Sequence, residues 1–457
     1  MIFCKNHKIN IIMRILNKYL FYITIFTFIL KPDISFSDCP RLLTNINDSL
    51  LLSLKHTQFP LMQPNHPFSL HLLKIPFSTS EIAKDRLNFS YSAGNTWKPT
   101  MYMIDRGFGS YRQIIQQINE ATSIPVGKLL CEECEEYELP SIPAFNQAKI
   151  YRADGVIRRF HFAFSMSINT QNEIGINFNI FKLVGGSSFV DFAVSDNLIE
   201  YFHKKLTSSK SDPFNRQLRE YNQAGIKFID KSQNIQIKNN DFFFGTIDLS
   251  YKRFFKIIET HNILLTANWG FAIGLPLNQL NNYLSFATFG TVSNTFRLLG
   301  KNTLTAAIGY GYNFNRLVKV GRTMQFFDNK NQYTYTLILG INNIKKSRMI
   351  SYGIEFLGES PFMKRSDYTV FYETIGEDSS TKTLGGKNTW LLTTHNQYLG
   401  FFFSHTNRKW QPNSFIKSIT KGLKIIEDGN FERSKVFALE GAVAQDLAIE
   451  FFLSLGF

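Results

Sequence analysis

Apolar and polar residues alternate with a period of two along several segments of the chain. Between Arg159 and Asn169, one face collects only apolar residues, namely Phe160, Phe162, Phe164, Met166 and Ile168. Successive side chains of a strand point to opposite faces, whereas a helix could not gather these residues on one side. After a polar turn at 170–172, the alternation resumes through Ile174, Ile176, Phe178 and Ile180. The pattern predicts a β-hairpin with one apolar face and one small, polar face.

The same alternation recurs along the rest of the chain. It predicts fourteen strands, beginning near Ser69, Arg86, Thr100, Val156, Ile174, Asp241, Asn262, Leu284, Thr303, Tyr333, Met349, Asp367, Tyr398 and Leu447. The patterns near Ser69, Thr100 and Asp367 are weak, so twelve strands fit equally well. Runs of about nine to twelve residues match tilted membrane strands and exceed the usual strands of soluble sheets. A soluble sandwich or propeller is the alternative.

The end of the chain favours the membrane interpretation. Alternate positions from Leu447 to Phe457 are apolar, and the chain finishes on that phenylalanine. Such a strand resembles the signature by which bacterial outer-membrane barrels are recognised for assembly, here Leu453, Leu455 and Phe457. We therefore predict an all-β fold: a transmembrane antiparallel β-barrel of about 12–14 strands with long extracellular loops.

The first residues have the character of an export signal. Arg14 and Lys18 precede an apolar run at 19–30, and small residues at Ser35 and Ser37 suit cleavage before Asp38. Twelve apolar residues are too few to span a bilayer, although a short anchoring helix is an alternative. Translation could begin at Met1 or at Met13.

These features predict a domain organisation. Residues 1–37 form a cleaved signal peptide, 38–67 a periplasmic segment, and 68–457 the barrel. An even number of strands places both chain ends in the periplasm. The long segments 105–147, 184–240 and 406–445 are then outer loops.

Composition adds a positive charge to this prediction. The 457 residues include 50 Lys and Arg against 36 Asp and Glu, for a net charge of +14. In an exported protein, this excess suggests attraction to acidic lipid headgroups or to an anionic solute. Nothing besides charge points to nucleic acid. The expected partners are outer-membrane lipids, the outer-membrane assembly machinery and a small solute, with no cofactor.

Two cysteines and several glutamates lie in the first predicted loop. Cys131 and Cys134 could close a small disulfide in an oxidising compartment, or form a metal or redox pair. No second pair completes a zinc site, so the disulfide is favoured. The five glutamates of 131–138 could attract a cation such as Ca²⁺, but a solvated loop is the more common outcome. We predict no metal site.

A short amphipathic helix is predicted at 197–206. Glu200 and His203 lie three residues apart and therefore share a face. Together with Asp191 they could hold a divalent metal or transfer a proton. The favoured alternative is a loop helix packed into the barrel mouth, its Glu and His paired with nearby lysines.

Ser404 and His405 raise the possibility of lipid hydrolysis. Such an enzyme needs a hydroxyl nucleophile held by a histidine. Adjacent residues of a strand point to opposite faces, which argues against this pair.

Several short motifs resemble a family of uncharacterised outer-membrane proteins, domain-of-unknown-function family 3187. Pro60–Leu61 with Asn65 and Pro67 resembles its early segment, and Leu87–Trp97 its first strong strand. Asp154–Gly155 before Phe160 is similar to its strand entry, although Val156 stands where an acidic residue is expected. The most specific run comprises Gly185–Gly186, Asp191, Leu198–Glu200, His203, Pro213 and Arg216. The resemblance implies an outer-membrane barrel, adds Arg216 to the candidate site, and brings no established activity.

These predictions lead to three functional hypotheses. The first is a channel or facilitator for a small solute, because barrels of more than eight strands leave a lumen. The second is a structural or host-interaction protein with a plugged lumen. The third is a lipid-modifying enzyme.

Overall fold

The computed structural model describes residues 73–80, 82–122, 143–185, 224–230, 233–260, 262–277, 283–298, 302–320, 331–345, 348–360, 368–375, 382–385, 396–408, 415–428 and 447–457. The chain divides into two units, 1–51 and 52–457, and every described residue belongs to the second. The predicted signal peptide and the whole of the predicted periplasmic segment lie outside the described residues and stay predictions.

The described residues are almost entirely β-strand. The strands are β1 (Arg86–Asp105), β2 (Lys149–Ser167), β3 (Asn172–Val184), β4 (Gly225–Asp230), β5 (Gln233–Lys238), β6 (Phe242–Glu259), β7 (Ile263–Pro276), β8 (Tyr283–Arg297), β9 (Asn302–Lys319), β10 (Asn331–Lys345), β11 (Arg348–Glu359), β12 (Tyr368–Ile375), β13 (Lys382–Gly385), β14 (Asn396–Arg408), β15 (Ser418–Asp428) and β16 (Leu447–Gly456). A 3-10 turn (Arg106–Phe108) and two helices, α1 (Tyr111–Thr122) and α2 (Pro143–Asn146), follow β1. None of the described helices is long and apolar enough to cross a membrane.

The sheet closes on itself through β1. This strand pairs with β2 along one edge and with β16 along the other, from Arg86 opposite Gly456 to Gly94 opposite Ala448. Of the sixteen strands, four (β4, β5, β12 and β13) lie outside the closed ring, which leaves twelve antiparallel barrel strands. The prediction of an all-β barrel of 12–14 strands is confirmed.

The four remaining strands extend the sheet beyond one end of the barrel. The ends of β1 and β2 continue past the ring. There, β12 pairs with β1 and β13 pairs with β12. On the other side, β4 pairs with β2 and β5 pairs with β4. On one face of the extension, buried apolar residues include Tyr151, Phe228 and Ile226. On the other face, Ile114 of α1 and Ala144 of α2 pack on Tyr102, Ile104 and Phe371.

Four strand predictions need correction. Residues 73–80, after the strand expected near Ser69, are not strand, and Thr100 lies inside β1 rather than beginning a new strand. The strand near Asp367 is β12, which belongs to the extension. Within the predicted outer loop 406–445, residues 418–428 form barrel strand β15. Exposed Lys421 interrupts the outer apolar face of β15, which weakens its alternation.

Side chains of the barrel strands are apolar outside and small or polar inside. Phe160, Phe401 and Leu337 on the outer face are about half exposed, at 49%, 54% and 54%. Ser92, Asp248 and Thr303 on the inner face are fully buried, each at 0%. Closed barrels satisfy every backbone hydrogen bond in hydrocarbon, and an apolar outer surface suits lipid. The fold is therefore that of a transmembrane barrel.

Two short connections identify the periplasmic end. Residues 168–171 join β2 to β3, and 260–262 join β6 to β7, whereas the connections at the other end include 106–148 and 185–241. Outer-membrane barrels have short periplasmic turns and longer outer loops. We accordingly call the end with the short turns the periplasmic end and the opposite end the outer end.

A buried ion pair spans the closing seam of the barrel. Ser92 of β1 lies opposite Arg159 of β2 on one side and opposite Glu450 of β16 on the other. Because Ser92 is small, Arg159 Nη2 reaches across it to Glu450 Oε2 at 2.9 Å. The pair therefore connects the second strand to the last on the inner wall.

We expect Glu450→Gln to destabilise the barrel by about 3–5 kcal/mol, because it removes the carboxylate that faces the buried Arg159 charge across the seam. Chemical unfolding in detergent micelles measures this loss. The matched control is Lys256→Gln, which removes the exposed Lys256–Glu259 pair and should cost about 1 kcal/mol or less. An equal loss in the free energy of unfolding for the two variants would show that the buried seam pair contributes no more stability than an exposed pair.

Candidate functional site

The barrel interior contains a segment of the chain that is not part of the wall. We call residues 73–80 the lumen segment. Its Lys74 backbone N–H donates to Asp248 Oδ2 of β6 at 3.0 Å. Asn268 Nδ2 of β7 donates to the Ser78 carbonyl at 2.6 Å. Side chains of the inner wall thus bind the backbone of the segment, replacing the hydrogen bonds that a strand partner would supply.

The lumen segment runs along the barrel axis from the outer end toward the periplasmic end. Leu73 lies against Gly274, eleven residues beyond the first residue of β7, Ile263. With tilted strands, this places Leu73 roughly 25–30 Å from the periplasmic end. Further along the chain, the Ala83 N–H donates to the carbonyl of Thr170, in the periplasmic turn between β2 and β3.

Small residues of the wall form a seat for the apolar side chains of the lumen segment. Leu73 and Phe77 pack with Ala272, Ala287 and Phe289, and Ile75 lies against the same cluster. A Cβ atom added to Gly309 would come within 2.9 Å of Phe77 Cδ1, and one added to Gly311 would contact Ile75 Cδ1. Glycine at these positions therefore makes room for the segment within an otherwise polar inner wall.

The chain is fixed again where it leaves the lumen and enters β1. Ser167 donates from its backbone N–H and its hydroxyl to Asp85 Oδ1, at 2.6 and 2.7 Å. These hydrogen bonds hold the pKa of Asp85 below its ordinary value. Arg86 Nη2 donates to Ser80 Oγ at 3.2 Å. The end of the segment is thereby tied to β2 and to the start of β1.

Charged side chains form a row across the inner wall beyond the seam pair. Lys424 of β15 is the register partner of Glu450, and its Nζ lies 4.0 Å from Glu355 Oε2 of β11. Glu355 Oε1 also accepts from the Thr336 hydroxyl at 3.2 Å. The row alternates in sign, from Arg159 through Glu450 and Lys424 to Glu355. Its four side chains are buried.

A cavity of about 450 Å³ extends beside the lumen segment. Thr334 and Glu359 line it at the outer ends of β10 and β11, and Lys417 and Phe457 line it at the periplasmic end. Its lining includes the apolar side chains of Ile75 and Phe77 from the segment. It also includes the polar wall residues His161, Glu173, Asn177 and Lys252. A volume of this size can admit a small molecule.

Most of the predicted site residues fall outside the described part of the chain. These are Asp191, Glu200, His203 and Arg216 of the loop site and the possible disulfide pair Cys131 and Cys134. Their roles stay predictions. Among the described residues, no group of three or more His, Cys, Asp or Glu side chains is placed to hold a metal ion.

The predicted assembly signal is described. Leu453 lies on the outer face of β16 and is 38% exposed. Phe457 packs against Phe415, with ring centroids 4.9 Å apart, and its N–H donates to the Asp85 carbonyl. Leu455 is partly exposed. Recognition by the assembly machinery stays a prediction.

Ser404 and His405 are separated by the wall of the barrel. Ser404 faces the lumen and is 2% exposed. His405 follows the outward-facing Phe401 and Phe403 at the same alternation. The two side chains therefore cannot form a nucleophile–base pair with each other, as the strand geometry predicts.

Sequence patterns did not reveal the lumen segment or the charge row. The signal for the row was present, because Arg159, Lys424 and Glu450 occupy polar positions of alternating strands. Which charges face one another depends on the register of β2, β1, β16 and β15. The lumen segment has the same alternation as a strand, so the sequence pattern could not distinguish the two.

Comparison with known proteins gives no family. No family model matches the chain, and no curated protein matches it. The resemblance to family 3187 therefore stays a prediction.

Solved structures give distant similarities. An outer-membrane channel from Pseudomonas putida F1 is 7% identical, with 87% of this chain and 100% of that chain covered and a TM-score of 0.33. A Pseudomonas aeruginosa FadL homologue is 8% identical, with 83% and 90% covered and a TM-score of 0.30. LpxR from Salmonella typhimurium is 7% identical, with 81% and 100% covered and a TM-score of 0.30. At these TM-scores, the similarities say nothing about the site or solute of this chain.

The closed ring and its apolar outer face decide the location. Strands can span a bilayer only in a closed barrel, and an antiparallel barrel with an even number of strands is typical of bacterial outer membranes. The chain is an outer-membrane β-barrel. Its lumen, with the segment and the cavity beside it, is the candidate functional site.

We expect Gly311→Val to displace the lumen segment, because the added side chain occupies the space of Ile75. The readout is thiol labelling of Ser78→Cys, a position 2% exposed, with Cys4, Cys39, Cys131 and Cys134 replaced by Ser. Labelling should become much faster with Gly311→Val. Gly225→Val is the control, since an added Cβ there meets no atom within 4 Å. Unchanged labelling in both would show that the seat does not hold the segment.

Proposed function

We propose that this barrel is a channel for a small solute and that the lumen segment controls the passage. One observation carries the proposal: a single cavity touches residues at both ends of the barrel. A barrel of twelve strands is wider than the eight-stranded type, whose interior is filled by its own side chains. Here the lumen segment fills part of the remaining space, and the solute path follows its edge.

The contacts that hold the lumen segment favour a movable gate over a fixed plug. It forms no strand pairing, and its seat is an apolar cluster reinforced by hydrogen bonds from a few wall side chains. Each such hydrogen bond contributes only about 1 kcal/mol net. The wall, in contrast, has a continuous ladder of backbone hydrogen bonds. Displacement of the segment would widen the path without disturbing the wall.

Planar-bilayer conductance of the refolded protein tests the proposal. Leu73→Cys with Gly274→Cys locks the segment, because an added Cβ on Gly274 lies 3.0 Å from Leu73 Cβ. A disulfide needs about 3.5–4.5 Å between these atoms, which a small shift supplies. In a background with Cys4, Cys39, Cys131 and Cys134 replaced by Ser, oxidation should lower the conductance to that of the narrow path beside the seated segment, and reduction should restore the higher value.

The two single-cysteine variants are matched controls for the lock, and oxidation should not change their conductance. Equal conductance of the oxidised and reduced double variant would show that the segment is not the gate. If no variant conducts, including one with Gly311→Val, the channel proposal is wrong.

The cavity lining predicts weak ion selectivity despite the basic chain. Its charged residues are five cations (Lys74, Lys84, Arg86, Lys252 and Lys417) and four acids (Asp85, Glu173, Glu359 and Glu450). The excess is a single positive charge, so we expect only a slight preference for anions. Reversal potentials under a salt gradient measure this preference. Strong anion selectivity would indicate that the solute follows another path.

A second candidate function has specific support as well. The buried charge row and the seated segment both narrow the lumen, as expected for a structural or host-interaction protein with a plugged barrel. This candidate predicts no conductance in any of the variants above. The lipid-modifying alternative has no nucleophile–base pair at Ser404 and His405, because the two side chains lie on opposite faces of the barrel wall.

A further inference from the structure

Two residues of opposite charge line the outer part of the cavity. Lys74 belongs to the lumen segment and is 7% exposed, and Glu359 is the last residue of β11. Leu73 and Ile75, on either side of Lys74 in the chain, both pack on the apolar seat. Because neighbouring side chains of an extended segment point in opposite directions, Lys74 faces away from the seat, into the cavity that it lines.

The register of three wall strands places Lys74 near Glu359. Ile75 lies against Gly311 of β9, and Gly311 lies opposite Thr334 of β10. Thr334 in turn lies opposite Glu359 of β11. Because neighbouring strands are about 4.8 Å apart, Glu359 lies roughly 10 Å along the wall from the position under Ile75. The side chain of Lys74 is long enough to approach it, and among the acids Glu359 acts most strongly on the Lys74 ammonium.

The two charges do not satisfy each other directly. Glu359 Oε2 is buried and has no hydrogen-bond partner in the part of the chain that the structure describes. None of the ion pairs between described residues involves Lys74 or Glu359. A buried carboxylate oxygen without a partner is costly, so such an oxygen is normally bound by some donor. The arrangement suits a ligand that brings a positive group to Glu359 and a negative group to Lys74.

An aliphatic surface lies next to the two charges. Leu357, 3% exposed, is on the inner face of β11 two residues before Glu359. It lines the same cavity as Ile75, and Thr334 lies beside them. The outer part of the cavity therefore combines one cation, one anion and two aliphatic side chains. The cavity volume of about 450 Å³ admits a small molecule with these three features.

This combination matches an amino acid with an aliphatic side chain. Its ammonium and carboxylate groups are attached to one carbon atom, and each can form a charge-assisted hydrogen bond with one of the two charged residues. A simple carboxylic acid would leave Glu359 without a partner, and a simple amine would leave Lys74 without one. Both outcomes carry the cost of an uncompensated buried charge, so the site discriminates in favour of the zwitterion.

We propose that the outer part of the cavity binds a free amino acid with an aliphatic side chain. Lys74 Nζ donates to its carboxylate, and Glu359 Oε2 accepts from its ammonium group. Leu357 and Ile75 contact its side chain. The binding site stands on the geometry of the cavity, whereas its role as the site of the transported solute rests on the proposed channel function.

Equilibrium dialysis of the refolded full-length protein in detergent tests the proposal with three radiolabelled probes, after subtraction of binding to empty micelles. The probes are L-leucine, isocaproate and isoamylamine. Isocaproate has the carbon skeleton of leucine without the ammonium group, and isoamylamine has its side chain and ammonium group without the carboxylate. Leucine should bind roughly tenfold or more tightly than either of the others, because only leucine satisfies both charges.

Substitution of each charged residue should remove one half of the recognition. Lys74→Met should lower the affinity for leucine to that for isoamylamine, without weakening the binding of isoamylamine. Glu359→Gln should lower the affinity for leucine to that for isocaproate, without weakening the binding of isocaproate. The matched control is Lys319→Met, which removes an exposed lysine at the outer end of β9, away from the cavity lining. It should change none of the three affinities.

Heat-modifiable mobility on gels verifies that each variant is folded. If one variant does not fold, the other variant and the three probes on the unsubstituted protein carry the test. Leucine binding no tighter than that of both analogues overturns the proposal, and so does an unchanged leucine affinity in the folded Lys74 and Glu359 variants.

Failure of this site is distinguishable from failure of the channel. A barrel that binds leucine but never conducts retains the amino acid site and loses only its transport role. A barrel that conducts but shows no leucine binding in the millimolar range retains the channel and overturns the amino acid site.

Discussion

The whole structure depends on the pairing of the first barrel strand with the last. Hydrocarbon offers no hydrogen bonds, so a sheet can remain in a bilayer only if β1 and β16 satisfy each other's backbone groups. Their register sets the positions of all inward-facing residues near the seam. It brings Arg159 and Glu450 to either side of the small Ser92, where they can form an ion pair. Closure and the interior are thus determined together.

Closure also creates the space that contains the candidate functional site. A ring of twelve strands encloses more volume than its own side chains fill, and here the chain places residues 73–80 in that volume. Glycines and alanines on β7, β8 and β9 leave room for Leu73, Ile75 and Phe77. An apolar seat inside a polar lumen holds the segment without joining it to the sheet. In the proposed function, that difference in attachment is the physical basis for a wall that stays fixed and a segment that moves.

The inner and outer surfaces use positive charge differently. Inside, cations alternate with carboxylates across the strands, so the row from Arg159 to Glu355 is close to neutral. Outside, Arg158 and Lys182 lie directly opposite each other at the outer end of the apolar belt, so like charges are neighbours there.

Sequence alone determined the barrel, because alternation with a period of two follows directly from strand geometry and was strong in β2, β3 and β7. It failed at β15, where Lys421 interrupts the outer face, and it could not recognise a segment that lies within the lumen. Pairing partners, the charge row and the seat on Gly309 and Gly311 were decided only by the tertiary structure. The physical reason is that periodicity reports which face a residue occupies, whereas contacts inside a closed barrel depend on the register between strands far apart in the chain.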